Sequence, residues 1–271
     1  MNILVPGLVV FFIINFTSIV FGEFITINTN VSTVVEGPEA ILDIKLKNLG
    51  DEPAYEVSVA APVQSKKVIS SKIPTLEPGA EKMLTLRTAI ETDFLQKIIP
   101  LMIYYKDGKS HPFSVLSYAI ARSSGAEPSR VSAKIEPIEL DRQKVFVVKA
   151  KSIDEKSRHV DIRIFAPDEL SVSPKNIELD ITGTGEVDAL FKLSNLNATS
   201  NSIYLILGIV SEKRKKGLFE EIILGKVTTI TSKSIIEILS GRSALWVLGL
   251  LALCYIMYEI IHRWQHHRNL N

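Results

Sequence analysis

Histidines are the side chains of this chain that could serve as acid, base or metal ligand near neutral pH, and the sequence has five. His111 lies beside a Lys-Asp-Gly-Lys turn, and His159 opens a predicted strand. Neither has another His, a Cys or a paired acid at ligand spacing, which favours surface or structural roles. His262, His266 and His267 have helical spacing near the C-terminus. They could bind a metal or anionic headgroups, and we favour the headgroups.

Recognisable catalytic motifs are absent from the sequence. There is no G-x-S-x-G elbow, no H-E-x-x-H pair and no glycine loop placed to hold phosphate. The single cysteine, Cys254, lies in a C-terminal apolar stretch, so the remainder has no disulfide, Cys-ligated zinc or cysteine nucleophile. We therefore predict no catalytic residue, cofactor or metal. An envelope hydrolase with a triad assembled from distant residues is the least favoured alternative.

The run Lys213, Arg214, Lys215 and Lys216 is the sharpest charged feature. It lies between predicted strands at 202–210 and 221–231, within a turn expected at 212–217. Such a run is commonly a solvated hairpin tip. The direction of the strands also places it near the junction around residues 125–130, where it could pair with Glu127 or meet an anionic partner. Both interpretations stay open.

Residues 1–22 form an apolar N-terminal segment that ends Val-Phe-Gly. A small residue at the last position suits signal-peptidase cleavage before Glu23, so we predict a signal peptide. The segment is nearly long enough to span a bilayer, and an uncleaved anchor is the alternative.

Residues 244–262 are predicted to form a transmembrane helix, followed by a basic cytoplasmic tail at 263–271. Trp246 and Trp264 bracket the span as interfacial aromatics. Glu259 precedes His262 and Arg263 by three and four positions, so these side chains can pair at headgroup level. A proton or ion pathway through Glu259, or a buried core helix in place of a span, is the less favoured alternative.

The charge balance of 31 basic and 30 acidic residues argues against nucleic acid as a partner, which would require a basic face. Between the two apolar ends, the chain keeps enough Val, Ile and Leu for a core, which argues against disorder. The predicted topology places this middle part outside the cytosol, in the periplasm, the extracellular space or a lumen.

The middle part repeats one plan of alternating strands at an offset of about 105 residues. Strands expected at 40–50, 54–62 and 82–87 correspond to 144–151, 159–167 and 186–193. We predict an all-β fold of two tandem Ig-like β-sandwiches. The predicted domain boundaries are 23–122 and 131–233, with a linker at 123–130 and a juxtamembrane stalk at 234–243.

Two segments, LDIKLKNLGDEPAYEVSV and LEPGAEKMLTL, resemble CARDB-type and related immunoglobulin-like modules of envelope proteins. The matching positions are Asn48, Gly50, Leu76, Pro78 and Gly79, all in the first repeat. The layout of signal, Ig-like ectodomain, single span and short basic tail is also similar to the beta subunit of the translocon-associated protein, which has one such domain. These resemblances imply a packing module and transfer no catalytic residue.

Asn30 and Asn197 stand in N-x-S/T sequons on the predicted exported side and are possible N-glycosylation sites. The expected function is that of a non-enzymatic, membrane-anchored binding or scaffolding protein of the cell envelope, acting on a protein partner through its Ig-like ectodomains. The alternative is an accessory subunit of a membrane complex such as a translocon or secretion system.

Overall fold

The computed structural model describes residues 24–63, 66–91, 93–123, 126–154, 156–198 and 201–230. Within these ranges, no helix has the length and apolar character needed to cross a bilayer. The predicted signal peptide at 1–22, stalk at 234–243, transmembrane helix at 244–262 and tail at 263–271 lie outside the described residues. The described chain is all-β, as the alternating sequence pattern predicts.

The first repeat folds as two facing sheets around one apolar core. Its strands are β1 (Ile27–Glu36), β2 (Glu39–Asn48), β3 (Ala54–Val63), β4 (Lys66–Ile69), β5 (Ile73–Leu76), β6 (Glu81–Ala89), β7 (Phe94–Lys106) and β8 (Pro112–Arg122). Strands β1, β2 and β6 form a three-stranded antiparallel sheet. In β2, alternate residues from Ala40 to Leu46 are fully buried, so one face of this strand supplies the core.

The second repeat is built in the same way. Its strands are β9 (Val131–Ile135), β10 (Ile138–Leu140), β11 (Gln143–Ser152), β12 (Arg158–Phe165), β13 (Leu170–Ser173), β14 (Asn176–Ile181), β15 (Glu186–Asn195), β16 (Ile203–Arg214) and β17 (Gly217–Thr229). Strands β13, β15, β11 and β9 form a four-stranded sheet. Phe146 and Phe191 stack at 5.6 Å between ring centroids in the core of this unit.

The two units share a sheet, which the prediction of two separate sandwiches did not include. The start of β17 pairs in parallel with the start of β7, with Leu218 opposite Phe94 and Phe219 opposite Gln96. This contact joins both units in one ten-stranded sheet. Because β7 and β17 run in the same direction from the contact, the two units lie side by side, and we call this contact the domain junction.

Strand β16 is apolar on both of its faces, since each face packs on a different unit. Ile206 and Val210 face the core of the second unit. Leu207 and Ile209 face the first unit, where they form a small buried cluster with Ile98. The continuous apolar run at 206–210 is therefore the sequence signal of a strand covered on both sides.

A buried carboxylate lies at the domain junction. Glu220 has no exposed surface, and its carboxylate is 3.0 Å from Nζ of Lys97. It also pairs with the guanidinium of Arg163 and accepts a hydrogen bond of 2.7 Å from the amide of Ile98. Gln96 donates its side-chain amide to the carbonyl of Glu220. These contacts come from both units, and they give the buried carboxylate the counter-ions and hydrogen bonds that a buried ion requires.

The Asn-x-Gly and Pro-Gly signatures of the first repeat have a structural explanation in the fully buried side chain of Asn48. Its amide donates to the carbonyls of Glu52 and Leu76 at 2.8 and 3.0 Å, and its oxygen accepts from the amide of Gly50. The backbone carbonyl of Asn48 accepts from Gly79, which has a φ of 74°. Asn48 thus connects two turns at one end of the sandwich.

Candidate functional site: a basic groove at the domain junction

The basic run lies at the hairpin between β16 and β17, and its turn is shorter than predicted. Lys213 and Arg214 belong to β16, and Lys215 and Lys216 form the turn, followed by Gly217 with a φ of 129°. The predicted turn at 212–217 was too long at both ends, because β16 continues to Arg214 and β17 begins at Gly217. Glu212 is buried within β16, where it pairs with Phe219 across the hairpin and with Arg158.

The carboxylates around this hairpin form salt bridges with arginines. Glu212 lies between the guanidinium groups of Arg158 and Arg214, with Oε2 2.7 Å from Arg214 Nη2. Arg158 also pairs with Asp154, and its hydrogen bond to that carboxylate holds the pKa of Asp154 below its usual range. The ring centroid of Phe219 lies 4.4 Å from the Arg214 guanidinium carbon. These contacts fix the floor of the site.

The linker between the units closes one side of the site. Arg214 donates to the backbone carbonyls of Glu127 and Pro128 at 3.4 and 3.0 Å. The Arg130 guanidinium pairs with Glu127, and together with Lys216 and Arg214 it holds the pKa of that carboxyl below its usual value. The hairpin therefore lies against the linker, in the region where the strand direction had placed it.

Lysines ring the open part of the site. A groove of about 490 Å³, which we call the basic groove, is lined by residues of the hairpin, the linker and the β11–β12 loop. Its charged lining residues are Glu127, Arg130, Lys156, Arg158, Glu212, Lys213, Arg214, Lys215 and Lys216. Within the described part of the chain, the ammonium groups of Lys156, Lys213, Lys215 and Lys216 have no salt bridge, because the nearby carboxylates already face arginines.

Sequence reasoning found the hairpin and missed Lys156, Arg158 and Arg130. Strand β12 pairs with β16 in antiparallel fashion, and this places the β11–β12 loop beside the β16–β17 turn. The sandwich topology expected from the repeat is the signal that would have brought these loops together. The groove therefore presents lysine ammonium groups around guanidinium groups that carboxylates hold in place. This arrangement suits a ligand with carboxylate or phosphate groups.

His111 and His159, the two histidines in the described part of the chain, both have acidic partners, and the expectation that neither has a paired acid was wrong. His111 Nδ1 lies 2.9 Å from Asp107 Oδ2 within the β7–β8 turn, four positions apart. His159 Nδ1 lies 2.9 Å from Asp180, its cross-strand neighbour on β14. The hydrogen bond to Asp180 raises the pKa of His159. Among the described residues, no group of three His, Cys, Asp or Glu side chains is arranged to hold a metal ion.

The remaining predicted site residues fall in different places. Asn30 is exposed on β1, and Asn197 is exposed in the turn after β15. The predicted membrane-interface residues lie outside the described part of the chain; they are Trp246, Trp264, Glu259, His262 and Arg263.

Comparison with known proteins does not assign a family. No protein-family model matches this sequence, and no curated protein is similar to it in sequence. Among solved structures, trypsin-activated alpha-2-macroglobulin from Escherichia coli aligns with a TM-score of 0.33 and 11% identity, over 76% of this chain and 18% of that chain. Red sea bream transglutaminase aligns with a TM-score of 0.28 and 10% identity, over 78% and 31% of the respective chains.

A protein of unknown function from Porphyromonas gingivalis W83 aligns with a TM-score of 0.26 and 11% identity, over 74% of this chain and 99% of that chain. This chain thus spans less than a fifth of the alpha-2-macroglobulin chain. Similarity at this level carries no argument about function.

Proposed function

We propose that this chain is a non-enzymatic, membrane-anchored binding protein of the cell envelope, with two tandem Ig-like sandwiches that recognise an anionic surface of a partner protein through the basic groove. One observation carries the proposal. The carboxylates around the hairpin are paired with arginines, which leaves Lys156, Lys213, Lys215 and Lys216 facing outward around a groove. Lysines that form no salt bridge keep their charge available to a ligand.

The joined sheet supports a binding role in a second way. Residues from three segments form the groove, and the pairing of β7 with β17 holds these segments in one body. Recognition surfaces on loops depend on a scaffold that fixes their relative positions. The anchor and the extracytoplasmic location rest on the apolar segments at 1–22 and 244–262.

Crosslinking of the full-length chain in its native membranes, followed by identification of the captured proteins, tests this function. The triple substitution Lys213→Glu, Lys215→Glu and Lys216→Glu should lower capture of the partner by about tenfold or more, because each substitution reverses a charge in the groove. Capture by the wild type should also weaken with added salt. The matched control changes the exposed Lys47, Lys144 and Lys192 to Glu, with an equal change of net charge.

Equal capture by the triple variant and the wild type would refute the basic groove as the binding site. Equal losses of partner capture in the triple variant and in its control would also refute it, because only the net charge would then matter.

A second candidate function, an accessory subunit of a membrane complex, is favoured by a different feature. On the outer face of the β16–β17 hairpin, Ile203, Leu205 and Leu224 are 62, 46 and 53% exposed. They continue the face that buries Leu207 and Ile209 between the units, and exposed apolar strips commonly mark contact surfaces. Replacing residues 244–262 by a generic transmembrane span distinguishes the two functions. Loss of the activity of the membrane complex would favour the accessory role, whereas a binding protein should be unaffected.

A further inference from the structure

Strand β6 forms an edge of the first unit, and no strand of the described chain pairs with its outer side. The order of its sheet is β1, β2, β6, so β2 occupies one side of β6 and the other side is open. At the opposite end of this sheet, β1 lies beside β8. In the second unit, β13 pairs with Lys192 to Asn195 of the corresponding strand β15 on the side that β6 leaves open. An open strand edge presents N–H and C=O groups that can pair with another chain.

The backbone groups of alternate β6 residues point to the open side. The amide of Ile90 donates to the carbonyl of Pro38, and the amide of Asn48 donates to the carbonyl of Ala80. Residues of an antiparallel pair exchange hydrogen bonds at every second position, so the even-numbered residues of β6 bond to β2. The odd-numbered residues therefore direct their N–H and C=O groups away from β2; they are Glu81, Met83, Thr85, Arg87 and Ala89.

Strand β6 lacks the proline, the bulge and the short length that commonly protect an edge. It has nine residues without Pro or Gly, and it pairs with β2 from Glu81 to Ala89 in one continuous register. The side chain of Met83, which points to the outer face of the sheet, is 67% exposed. The strand therefore has the length and regularity to accept a further strand.

The charges of β6 are complementary to those of a second, antiparallel β6. Glu81 and Arg87 stand near opposite ends of the strand, and both are exposed. Each has a partner on β2, Glu81 with Lys45 at 2.7 Å and Arg87 with Glu39 at 3.9 Å. A carboxylate can accept from more than one cation, so these pairs leave room for another.

An antiparallel arrangement of two β6 strands centred on Leu84 brings odd-numbered residues opposite odd-numbered residues. Glu81 of each copy then lies opposite Arg87 of the other, and Met83 lies opposite Thr85. Signs alternate across the joined sheet, because each Arg87 lies between Glu39 of its own copy and Glu81 of the other. A parallel arrangement in register would place like charges together, which is unfavourable.

We propose that two copies of this chain associate through β6, whose antiparallel pairing joins their three-stranded sheets into one sheet of six strands. The contact is isologous, because both copies use the same surface, and it closes as a dimer. Main-chain hydrogen bonds of the odd-numbered residues hold the two strands, and the two Glu81–Arg87 pairs fix their register. This surface lies on the first unit, is separate from the basic groove, and does not depend on the function proposed for that groove.

Sedimentation equilibrium of the full-length chain in non-ionic detergent tests the proposal, and we expect the wild type to be a dimer. Glu81→Arg and Arg87→Glu should each raise the dissociation constant of the dimer by about tenfold or more, because each places like charges opposite one another at two symmetric positions. The double variant Glu81→Arg/Arg87→Glu restores opposite charges and should dimerise as the wild type does. An equimolar mixture of the two single variants should form a heterodimer, since every facing pair is then again opposite in sign.

The matched control is Glu186→Arg, at the corresponding position of β15 in the second repeat. Glu186 is likewise exposed and lies 3.9 Å from a lysine of the neighbouring strand, Lys149. This variant should leave the dimer unchanged, as should the triple lysine substitution in the basic groove, whose effect on partner capture is scored separately. Thr85→Pro removes an amide that faces the open side and should abolish the dimer while β6 stays paired with β2.

A monomeric wild type would overturn the proposal. A dimer that neither Glu81→Arg nor Arg87→Glu weakens would also overturn it, because the contact would then lie elsewhere in the chain. Equal effects of Glu81→Arg and Glu186→Arg would reduce the result to net charge and reject the register. Capture of another protein by a monomeric chain, lost in Thr85→Pro, would make a partner segment the occupant of the edge in place of a second copy.

Discussion

Lys97 of the first unit and Glu220 of the second form a salt bridge of 3.0 Å at the point where the two sheets join, and the Glu220 side chain is fully buried. Arg163 provides a second cation on the same carboxylate. A carboxylate removed from water needs such partners, and the partners come from both units. The pair with Lys97 therefore depends on the joined arrangement, and Glu220 would keep only the cation of its own unit, Arg163, if the units separated.

Substitution of Glu220 by Gln should destabilise the chain by about 3 kcal/mol, because it removes the closest counter-ion of Lys97 and Arg163 and leaves these partly buried charges only their longer pairs, each 3.5 Å, with Glu91 and Asp161. The measurement is the free energy of unfolding from urea titration at neutral pH. The control is Glu81→Gln, which removes the exposed pair with Lys45 and should cost less than about 1 kcal/mol. Similar losses in the two variants would contradict an important role for the buried pair.

Substitution of Asn48 by Ala should destabilise the first unit by about 2 kcal/mol, because the carbonyls of Glu52 and Leu76 lose their donor inside the fold. Urea titration gives the loss. Asn28, which is exposed on β1, provides the control, and Asn28→Ala should change stability by less than about 0.5 kcal/mol. A tolerated Asn48→Ala would show that the two turns hold without this side chain.

Tyr105 should ionise late in an alkaline titration, since burial, followed by the nearby Glu169 and Tyr204, raises its pKa from 10.0 to about 12. The stability linked to this group is fully present below pH 10 and is lost as the pH rises from 10 toward 12. Tyr105→Phe keeps a ring stacked on Phe113 and removes the ionisation. We expect the variant to lose the last step in tyrosinate absorbance and to lose less stability in that range. An unchanged titration curve would exclude a buried Tyr105.

Phe191 and Leu190 are neighbours on β15 with opposite environments, 0 and 59% exposed. Phe191→Ala should cost about 3–5 kcal/mol because it opens a cavity beside Phe146. Leu190→Ala should change stability by no more than about 0.5 kcal/mol. Comparing the thermal unfolding midpoints of both variants with the wild type tests the register of β15. A shift of this strand by one residue would reverse the order of the two effects.

Most strands follow directly from the sequence. In β2 and β15, apolar and polar side chains alternate, and this local pattern predicts both the strand and the face that is buried. The repeat at about 105 residues likewise predicts two copies of one plan. No bounds were predicted for β1, and the strands β4, β5, β9, β10, β13 and β14 were not predicted, because segments of three to six residues are too short to show a clear period of two.

The candidate site was predicted only in part, and the reason is the distance between its members in the chain. The sequence identifies Lys213 to Lys216 as a charged hairpin, because four basic residues stand together. It does not show that Glu212 binds Arg158, or that Asp107 and Asp180 pair with the two histidines. Those contacts depend on turn geometry and on strand register across the sheet.

The amino-acid pattern by itself determined the all-β class, the repeat, the basic hairpin and the absence of Cys from everything before residue 254. Each of these is a property of composition or of neighbouring residues. Tertiary structure decided the pairing of β7 with β17 and the burial of Glu220. Residues more than a hundred positions apart meet there, and only the packing of one unit against the other determines which charges are paired and which remain available to a partner.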